Sequence, residues 1–240
     1  MNSAFPDSAT DRPSIADALA SVQDRIAAAC DRAGRDPADV RLVAVTKTFG
    51  PDAVAEAVRA GAGLLGENRV QEAAAKIPLC PSAEWHLIGH LQRNKVRHAL
   101  PLFSAFHSVD TVPLLEAIAE GGEATGLRPD LLLEVNMAGE ASKFGFRPDD
   151  VAGALRAASD LGLRVTGLMT VPPFRPDPED VRPVFRALRV LRDRLQDEVG
   201  YGLPELSMGM SHDFEVAIGE GATYVRVGSA IFGARPPLRA

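Results

Sequence analysis

The sequence predicts a single-domain α/β protein of the (β/α)8 barrel class, the TIM barrel, with an extra N-terminal helix before the first strand. Apolar strand-like runs alternate with helical patterns eight times, no change in composition divides the 240 residues, and the chain stops soon after the eighth unit. Alternating strands and helices imply right-handed crossovers and a parallel sheet. Eight such units in roughly 200 residues match a closed barrel near the lower end of its size range.

An open, doubly wound sheet is the alternative architecture. It is disfavoured because no glycine-rich dinucleotide fingerprint follows the first strand. We assign residues 13–240 to the barrel. Residues 1–12 mix Asp, Ser, Pro and Thr and are predicted to be a disordered tail.

The extra helix begins at Pro13 and Ser14 and fades at Gly34. Apolar residues recur within it at helical spacing, at Ile15, Leu19, Val22, Ile26 and Ala29. We expect this helix to cover the outside or the bottom of the barrel.

The first strand, predicted at residues 41–47, is a short apolar and β-branched run that ends in a lysine before a Gly-Pro pair. Side chains alternate along a strand, so Lys47 shares a face with Val43 and Val45. Ligands bind at the carboxyl ends of parallel strands. A partly desolvated lysine there can have a lowered pKa and attack an aldehyde. The alternative is a strand-end lysine that reaches into solvent.

The other units repeat this alternation. The remaining strands are predicted at residues 63–68, 84–89, 105–110, 130–136, 164–170, 205–210 and 223–227. The helices are predicted at 52–60, 69–77, 91–98, 112–124, 149–161 and 181–196, with one opened by Ser211 and a turn over 228–232. Asp110 and Ser211 each precede a predicted helix and suit helix N-caps.

Polar residues gather at the predicted carboxyl ends of the strands. They are Lys47, Glu67, Asn68, His90, Asp110, Asn136, Thr170, Ser211, Arg226 and Ser229. Each alone could be a cap or a loop residue. Their coincidence over most strands predicts a ligand site at that end of the barrel.

The ends of the last two strands suggest a phosphate site. Gly209 and Gly228 let the backbone approach an anion, while Ser211 and Ser229 offer hydroxyl groups. Barrels of this class often bind phosphate between these two loops. Two ordinary helix caps are the alternative. A phosphate site beside a strand-end lysine suggests a phosphorylated aldehyde held as a Schiff base, which fits pyridoxal phosphate and also the substrates of phosphosugar aldolases.

Composition limits the partners. The net charge of −6 without a basic cluster argues against a nucleic-acid surface, and no apolar run reaches the length of a membrane span. Cys30 and Cys80 lack metal-binding spacing and are interpreted as reduced thiols of a cytoplasmic protein. The acidic start lacks the shape of a signal peptide. We predict no metal site.

Several motifs resemble those of the pyridoxal phosphate (PLP) homeostasis proteins, the YggS/PROSC family, which look like the barrel domain of fold-type III alanine racemase. The resemblance runs from Ser14 to Arg235, with His90 where some members have proline. The motifs lie at residues 43–47, 66–72, 85–95, 142–145, 167–170, 209–211 and 225–233.

The resemblance implies PLP as cofactor and a role for seven residues. These are Lys47 as the Schiff-base lysine, Asn68 and Met169 lining the ring with Met169 against its face, Arg226 at the pyridine nitrogen, and Ser211, Gly228 and Ser229 at the phosphate. Arginine stays protonated, so it leaves the ring nitrogen unprotonated and weakens carbanion chemistry. The alternative for Arg226, which shares a face with Tyr224, is a salt-bridged barrel residue.

The predicted function is therefore a PLP-binding protein that maintains the cofactor supply without strong catalysis. Racemases of this fold type add a β-rich domain that supplies a tyrosine base, and no such domain fits after Arg235. Tyr201 and Tyr224, the two tyrosines, do not lie at carboxyl ends of strands. A single-domain amino-acid racemase is the alternative, and a Schiff-base aldolase comes third. We predict no catalytic residue, a monomer or weak dimer, and apo PLP-dependent enzymes as recipients of the cofactor.

Overall fold

Eight parallel strands close into a barrel in chain order in the computed structural model, which describes residues 13–140 and 143–234. Strand β8 pairs with β1, which excludes the open sheet and confirms the predicted barrel. The predicted tail at residues 1–12 lies outside the described residues. The strands are β1 Arg41–Val45, β2 Leu64–Glu67, β3 Glu84–Leu87, β4 Ala105–Val109, β5 Asp130–Glu134, β6 Val165–Met169, β7 Glu205–Met210 and β8 Tyr224–Val227.

Helices follow the strands on the outside of the barrel. They are α1 Ile15–Ala33, α2 Pro51–Arg59, α3 Val70–Lys76, α4 Val96–Ala99, α5 Val112–Thr125, α6 Val151–Asp160, α7 Arg182–Val199, α8 Phe214–Gly219 and α9 Ser229–Phe232. Helix α1 is the predicted extra helix. The Ser14 hydroxyl caps it by accepting from the N–H of Asp17 (3.1 Å), and it ends at Gly34 with a φ of 63°. It packs against α2, α8 and α9 and so covers the outside of the barrel.

Most predicted strands extend one or two residues beyond the hydrogen-bonded ladder. Strand β1 ends at Val45, and Lys47 lies in the turn that follows. The N–H of Thr46 still donates to the Gly66 carbonyl (3.0 Å), but the N–H of Phe49 turns back to the Thr46 carbonyl (3.1 Å). Nothing in the residue types of Thr46 and Lys47 marks the point where the pairing stops, so the sequence pattern alone cannot locate the end.

The side chains inside the barrel form an apolar part and a polar part. Val43, Leu64, Leu132, Met169 and Tyr224 form the apolar cluster. His86, His107, Ser207 and Arg226 are also buried inside the barrel. Buried polar groups are costly without hydrogen-bond partners, so their bonds determine how this interior is arranged.

The two cysteines, Cys30 and Cys80, are buried free thiols, and burial raises the pKa of each. Within residues 13–140 and 143–234, no helix combines the length and apolar character needed to cross a membrane. The same residues contain no group of three or more His, Cys, Asp or Glu side chains that could hold a metal ion.

Candidate functional site

A cavity of about 500 Å³ opens at the carboxyl ends of β1, β2, β7 and β8. Six of the seven residues predicted to bind the cofactor line it: Lys47, Asn68, Ser211, Arg226, Gly228 and Ser229. Met169 is buried in the apolar cluster inside the barrel and is not among the described lining residues. Its contact with the cofactor ring stays a prediction.

Lys47 is half-buried in the turn after β1. Val45 and Phe49 line the cavity on either side of it, and the Phe49 ring stacks on Phe232 with centroids 5.0 Å apart. The next residue, Thr48, has a φ of 70°, and its N–H donates to Oε2 of Glu72 (3.1 Å). An amine in this partly apolar position suits attack on a carbonyl group in the cavity.

A buried ion pair stabilises the end of β1. Nζ of Lys76 lies 2.5 Å from Oε1 of Glu67 and donates to the Thr46 carbonyl (2.8 Å). The Thr46 hydroxyl donates to the same Glu67 oxygen (2.7 Å). These bonds tie the ends of β1 and β2 together immediately before Lys47 and Asn68.

Gly209 shapes the loop after β7. It has a φ of 91°, and a Cβ atom at this position would lie 2.6 Å from Cβ of Ala217 and 2.9 Å from Cα of Phe214. Only glycine therefore fits without a shift of α8. The side chain of Asp213 accepts from the N–H of Met210 (2.6 Å) and closes the turn.

Ser211 lies in this turn and does not cap α8, which begins at Phe214. Its Oγ instead accepts from the N–H groups of Gly228 (3.1 Å) and Ala230 (3.4 Å) and so joins the β7 and β8 loops. Because the oxygen accepts two N–H groups, its own proton can be donated to an anion. Ser229 adds a second hydroxyl to the lining of the cavity. This donor set suits a phosphate group.

Replacing both serines with alanine is expected to weaken binding of PLP far more than binding of pyridoxal. Each hydroxyl bonded to a phosphate oxygen contributes about 1.5–3 kcal/mol, which corresponds to roughly 10- to 150-fold in affinity. Pyridoxal lacks the phosphate and serves as the internal control in titrations of the Ser211→Ala/Ser229→Ala variant. Equal weakening of both ligands would contradict a phosphate site at these hydroxyls.

Arg226 lies at the inner end of the cavity. Its Nη1 donates to Oγ of Ser207 (2.6 Å), and its Nη2 donates to the Thr170 carbonyl (2.9 Å). Burial lowers the pKa of Arg226 to about 10, while the nearby carboxylates of Glu134 and Asp213 act in the opposite direction. The guanidinium is therefore still cationic at neutral pH. Among the described residues its hydrogen-bond partners are a hydroxyl and a carbonyl, rather than the carboxylate of a salt-bridged barrel residue.

Asn68 is held in place by a close approach between two strand ends. Its N–H donates to Oε2 of Glu67 (3.2 Å). A Cβ atom on Gly89 would lie 2.6 Å from the Asn68 carbonyl oxygen, so glycine is required where the end of β3 passes it. Ile88, the neighbour of Gly89, lines the cavity beside Asn68.

The polar residues after β3 to β6 do not line the cavity. Nδ1 of His90 lies 2.7 Å from Oδ2 of Asp110, so Asp110 is not the helix cap that the sequence suggested. The Thr170 hydroxyl donates to the Val135 carbonyl (2.8 Å), and the Asn136 amide donates to the Glu140 carbonyl (2.8 Å). These residues hold loops at the same end of the barrel.

The cavity also has lining residues that the sequence patterns did not indicate. They are Val45, Phe49, Ile88, Val171, Phe174, Met210, His212 and Gly233. Phe174 is 78% exposed, and its ring lies 5.4 Å from that of His212. A phenylalanine placed between prolines is a sequence signal that could have identified this part of the site.

Comparison with known proteins shows which family this chain resembles. The alanine racemase N-terminal domain family matches residues 18–236. The pyridoxal phosphate homeostasis protein of Aquifex aeolicus is 44% identical, with 90% of this chain and 96% of that protein covered. The corresponding protein of Pseudomonas aeruginosa is 45% identical, with 92% and 96% covered.

A solved structure extends the comparison. PipY of Synechococcus elongatus, described as having PLP bound, is 36% identical with a TM-score of 0.80, and covers 91% of this chain and 100% of that one. Identity at this level over nearly the whole of each relative goes beyond a shared fold. The chain therefore belongs to the pyridoxal phosphate homeostasis protein family, built on the alanine racemase N-terminal domain.

Proposed function

We propose that this chain binds PLP in the cavity at the carboxyl end of the barrel, holds it as a Schiff base on Lys47, and maintains the cofactor supply without strong catalysis of its own. One observation carries the proposal. An amine, a set of anion donors and a cationic donor, provided by Lys47, Ser211 with Ser229, and Arg226, line the same cavity. These are the partners that the aldehyde, the phosphate and the pyridine nitrogen of PLP need. The homologue PipY has PLP bound.

Arg226 limits the chemistry of such a site. When bound, PLP supplies an aldehyde and a ring that can accept electrons. The Arg226 guanidinium keeps its proton and would donate a hydrogen bond to a ring nitrogen, which would leave that nitrogen uncharged. An uncharged ring stabilises a carbanion poorly, and this favours storage of the cofactor over amino-acid chemistry.

A single-domain racemase is the second candidate, and it needs a base opposite Lys47. Tyr224 cannot supply it, because its hydroxyl accepts from Nη1 of Arg41 (2.6 Å) at the start of β1, at the far end of the barrel. Tyr201 precedes the start of β7. His212 does line the cavity, and its Nε2 lies 3.1 Å from the Arg175 carbonyl. Among the described residues that line the cavity, the racemase alternative therefore depends on His212.

The PLP-loaded protein is expected to exchange no α-deuterium and invert no amino acid at a useful rate. It is also expected to activate apo PLP-dependent enzymes, which we propose as recipients, because the described residues leave the cavity open. The experiment combines NMR of amino acids in D₂O with activity assays of an apo-enzyme mixed with the loaded protein. A monomer or weak dimer suffices for this role.

The control variants separate the two functions. Sustained racemisation that is lost in Lys47→Ala would replace the carrier proposal with a racemase, and its loss in His212→Asn as well would identify His212 as the opposing base. Arg226→Glu tests the restraint on chemistry, since a glutamate can keep the ring nitrogen protonated. We expect this variant to raise α-proton exchange, and unchanged exchange in a variant that still binds PLP would show that Arg226 does not restrain it.

A further inference from the structure

A chain of hydrogen bonds runs inside the barrel from Arg226 toward its amino-terminal end. Nη1 of Arg226 donates to Oγ of Ser207 (2.6 Å), and this oxygen lies 2.8 Å from Nδ1 of His107. Nε2 of His107 lies 2.9 Å from Nδ1 of His86, and Nε2 of His86 lies 2.9 Å from Oε1 of Glu84. Ser207, His107 and His86 are each no more than 1% exposed.

When both imidazole rings are neutral, the two ends fix the direction of every bond in this chain. A guanidinium can only donate, and an ionised carboxylate can only accept. Glu84 is ionised because its bond to His86, with help from Ser104 and Arg41, lowers its pKa to about 2. Ser207 accepts from Arg226 and has one proton, which goes to His107. His107 then donates through Nε2 to His86, and His86 donates through Nε2 to Glu84.

We propose that Ser207 and His107 are positioning residues for Arg226. His86 and Glu84 fix the direction of the hydrogen bonds on which this positioning depends. The inference deepens the proposed PLP site, since it explains how the donor at the ring nitrogen is oriented. Each terminal nitrogen of the Arg226 guanidinium uses one N–H group in these bonds, Nη1 to Ser207 and Nη2 to the Thr170 carbonyl. The two bonds fix the orientation of the guanidinium and leave its other N–H groups for a ligand in the cavity.

The charge state of His107 agrees with this role. Burial, together with the cationic Arg226 and Arg41, lowers the pKa of His107 well below its usual value, so the ring is neutral. The Tyr224 ring packs edge-on against both imidazoles, at 5.1 Å from His107 and 5.6 Å from His86. Glu84 is the carboxylate that bonds to the pair.

Protonation of His86 would reverse part of the chain. Its Nδ1 would become a donor to His107, and His107 would then donate to Ser207, which already accepts from Arg226. The Ser207 proton would lose its acceptor. The fixed direction therefore requires neutral histidines.

The chain positions Arg226 and does not carry protons away from it. Transfer along the four bonds would move a proton from a group with a pKa of about 10 to one with a pKa of about 2. The equilibrium strongly opposes this, because the guanidinium is by far the weaker acid of the two. The chain thus keeps Arg226 charged and holds its orientation.

The first test uses the ligand-free protein and needs no variant. Two-bond ¹H–¹⁵N correlation spectra report which imidazole nitrogen carries the proton. We expect both His86 and His107 as the neutral Nε2–H tautomer near pH 7.5. An Nδ1–H tautomer at His107 would overturn the proposal, whatever the protein does with PLP.

The second test compares PLP with an analogue that has carbon in place of the ring nitrogen. The native protein is expected to prefer PLP, because only PLP accepts from Arg226. His107→Leu and Ser207→Ala should reduce this preference at least about tenfold, as expected for loss of a hydrogen bond to a charged group. His107→Asn should largely restore it, since its Oδ1 can still accept from Ser207.

Ser108→Ala is the matched control. Ser108 is buried on β4, as His107 is, and its hydroxyl donates to the Gly89 carbonyl rather than into the chain. We expect this variant to keep the full preference for PLP. An unchanged preference in both His107→Leu and Ser207→Ala would overturn the positioning role. If the native protein binds neither compound, the proposed function fails while the tautomer measurement still tests the chain.

Discussion

Lys47→Ala is expected to abolish both the yellow absorbance of the PLP-loaded protein and the covalent adduct left by borohydride reduction. Lys47 is the lysine that lines the cavity among the described residues. Lys76 is buried against Glu67 and the Thr46 carbonyl and is not among the residues that line the cavity. Without Lys47, PLP keeps its phosphate and ring contacts and loses its covalent attachment.

Lys95 and Lys143 are the competing amines, because both lie in the motifs of the family. Nζ of Lys143 pairs with Glu140 (2.9 Å) and lies 3.5 Å from the carbonyl of Val171, which lines the cavity. Lys95 lies in the helical turn Arg93–Lys95 after β3. The matched controls Lys95→Ala and Lys143→Ala should both retain the adduct, located by mass spectrometry of the reduced peptides. An adduct of normal yield in Lys47→Ala would assign the Schiff base to another lysine.

The order of the strands could be predicted because it depends on local patterns. A buried parallel strand gives a continuous apolar run, and such runs alternate with helical periodicity along the whole chain. The position of the site followed from the fold, since all carboxyl ends of a parallel barrel meet at one end. The ladder at β1 stops two residues before Lys47, but Lys47 still lies at that end.

Contacts between distant residues could not be predicted in this way. Ser211 suits a helix cap in the sequence, but its hydroxyl bonds to the N–H of Gly228 on the next strand's loop. His86, His107 and Ser207 lie on three strands, and nothing local shows that their side chains meet. Each of the three is, however, a polar residue in a largely apolar strand, at a position whose side chain points into the barrel. That alternation is the signal by which a buried polar chain could have been suspected.

The buried pair of Glu67 and Lys76 is another contact that the sequence patterns did not predict. Its loss has the largest expected effect on stability. Glu67 is fully buried and the Lys76 side chain is 6% exposed. Lys76→Met would leave the carboxylate without its cation and the Thr46 carbonyl without its donor. Loss of one partner of a buried pair costs about 3–5 kcal/mol of unfolding free energy. For a domain of this size we expect a fall in Tm of roughly 6–20 °C.

Two further variants make this prediction specific. Arg97 and Glu120 form an ion pair at 3.0 Å with side chains 70% and 73% exposed, so Arg97→Met should cost at most about 1 kcal/mol. Adding Glu67→Gln to Lys76→Met removes the unpaired charge, while the amide oxygen can still accept from the Thr46 hydroxyl. The double variant should therefore be more stable than Lys76→Met alone in urea unfolding. A cost for Lys76→Met no larger than that for Arg97→Met would show that the end of β1 does not depend on this pair.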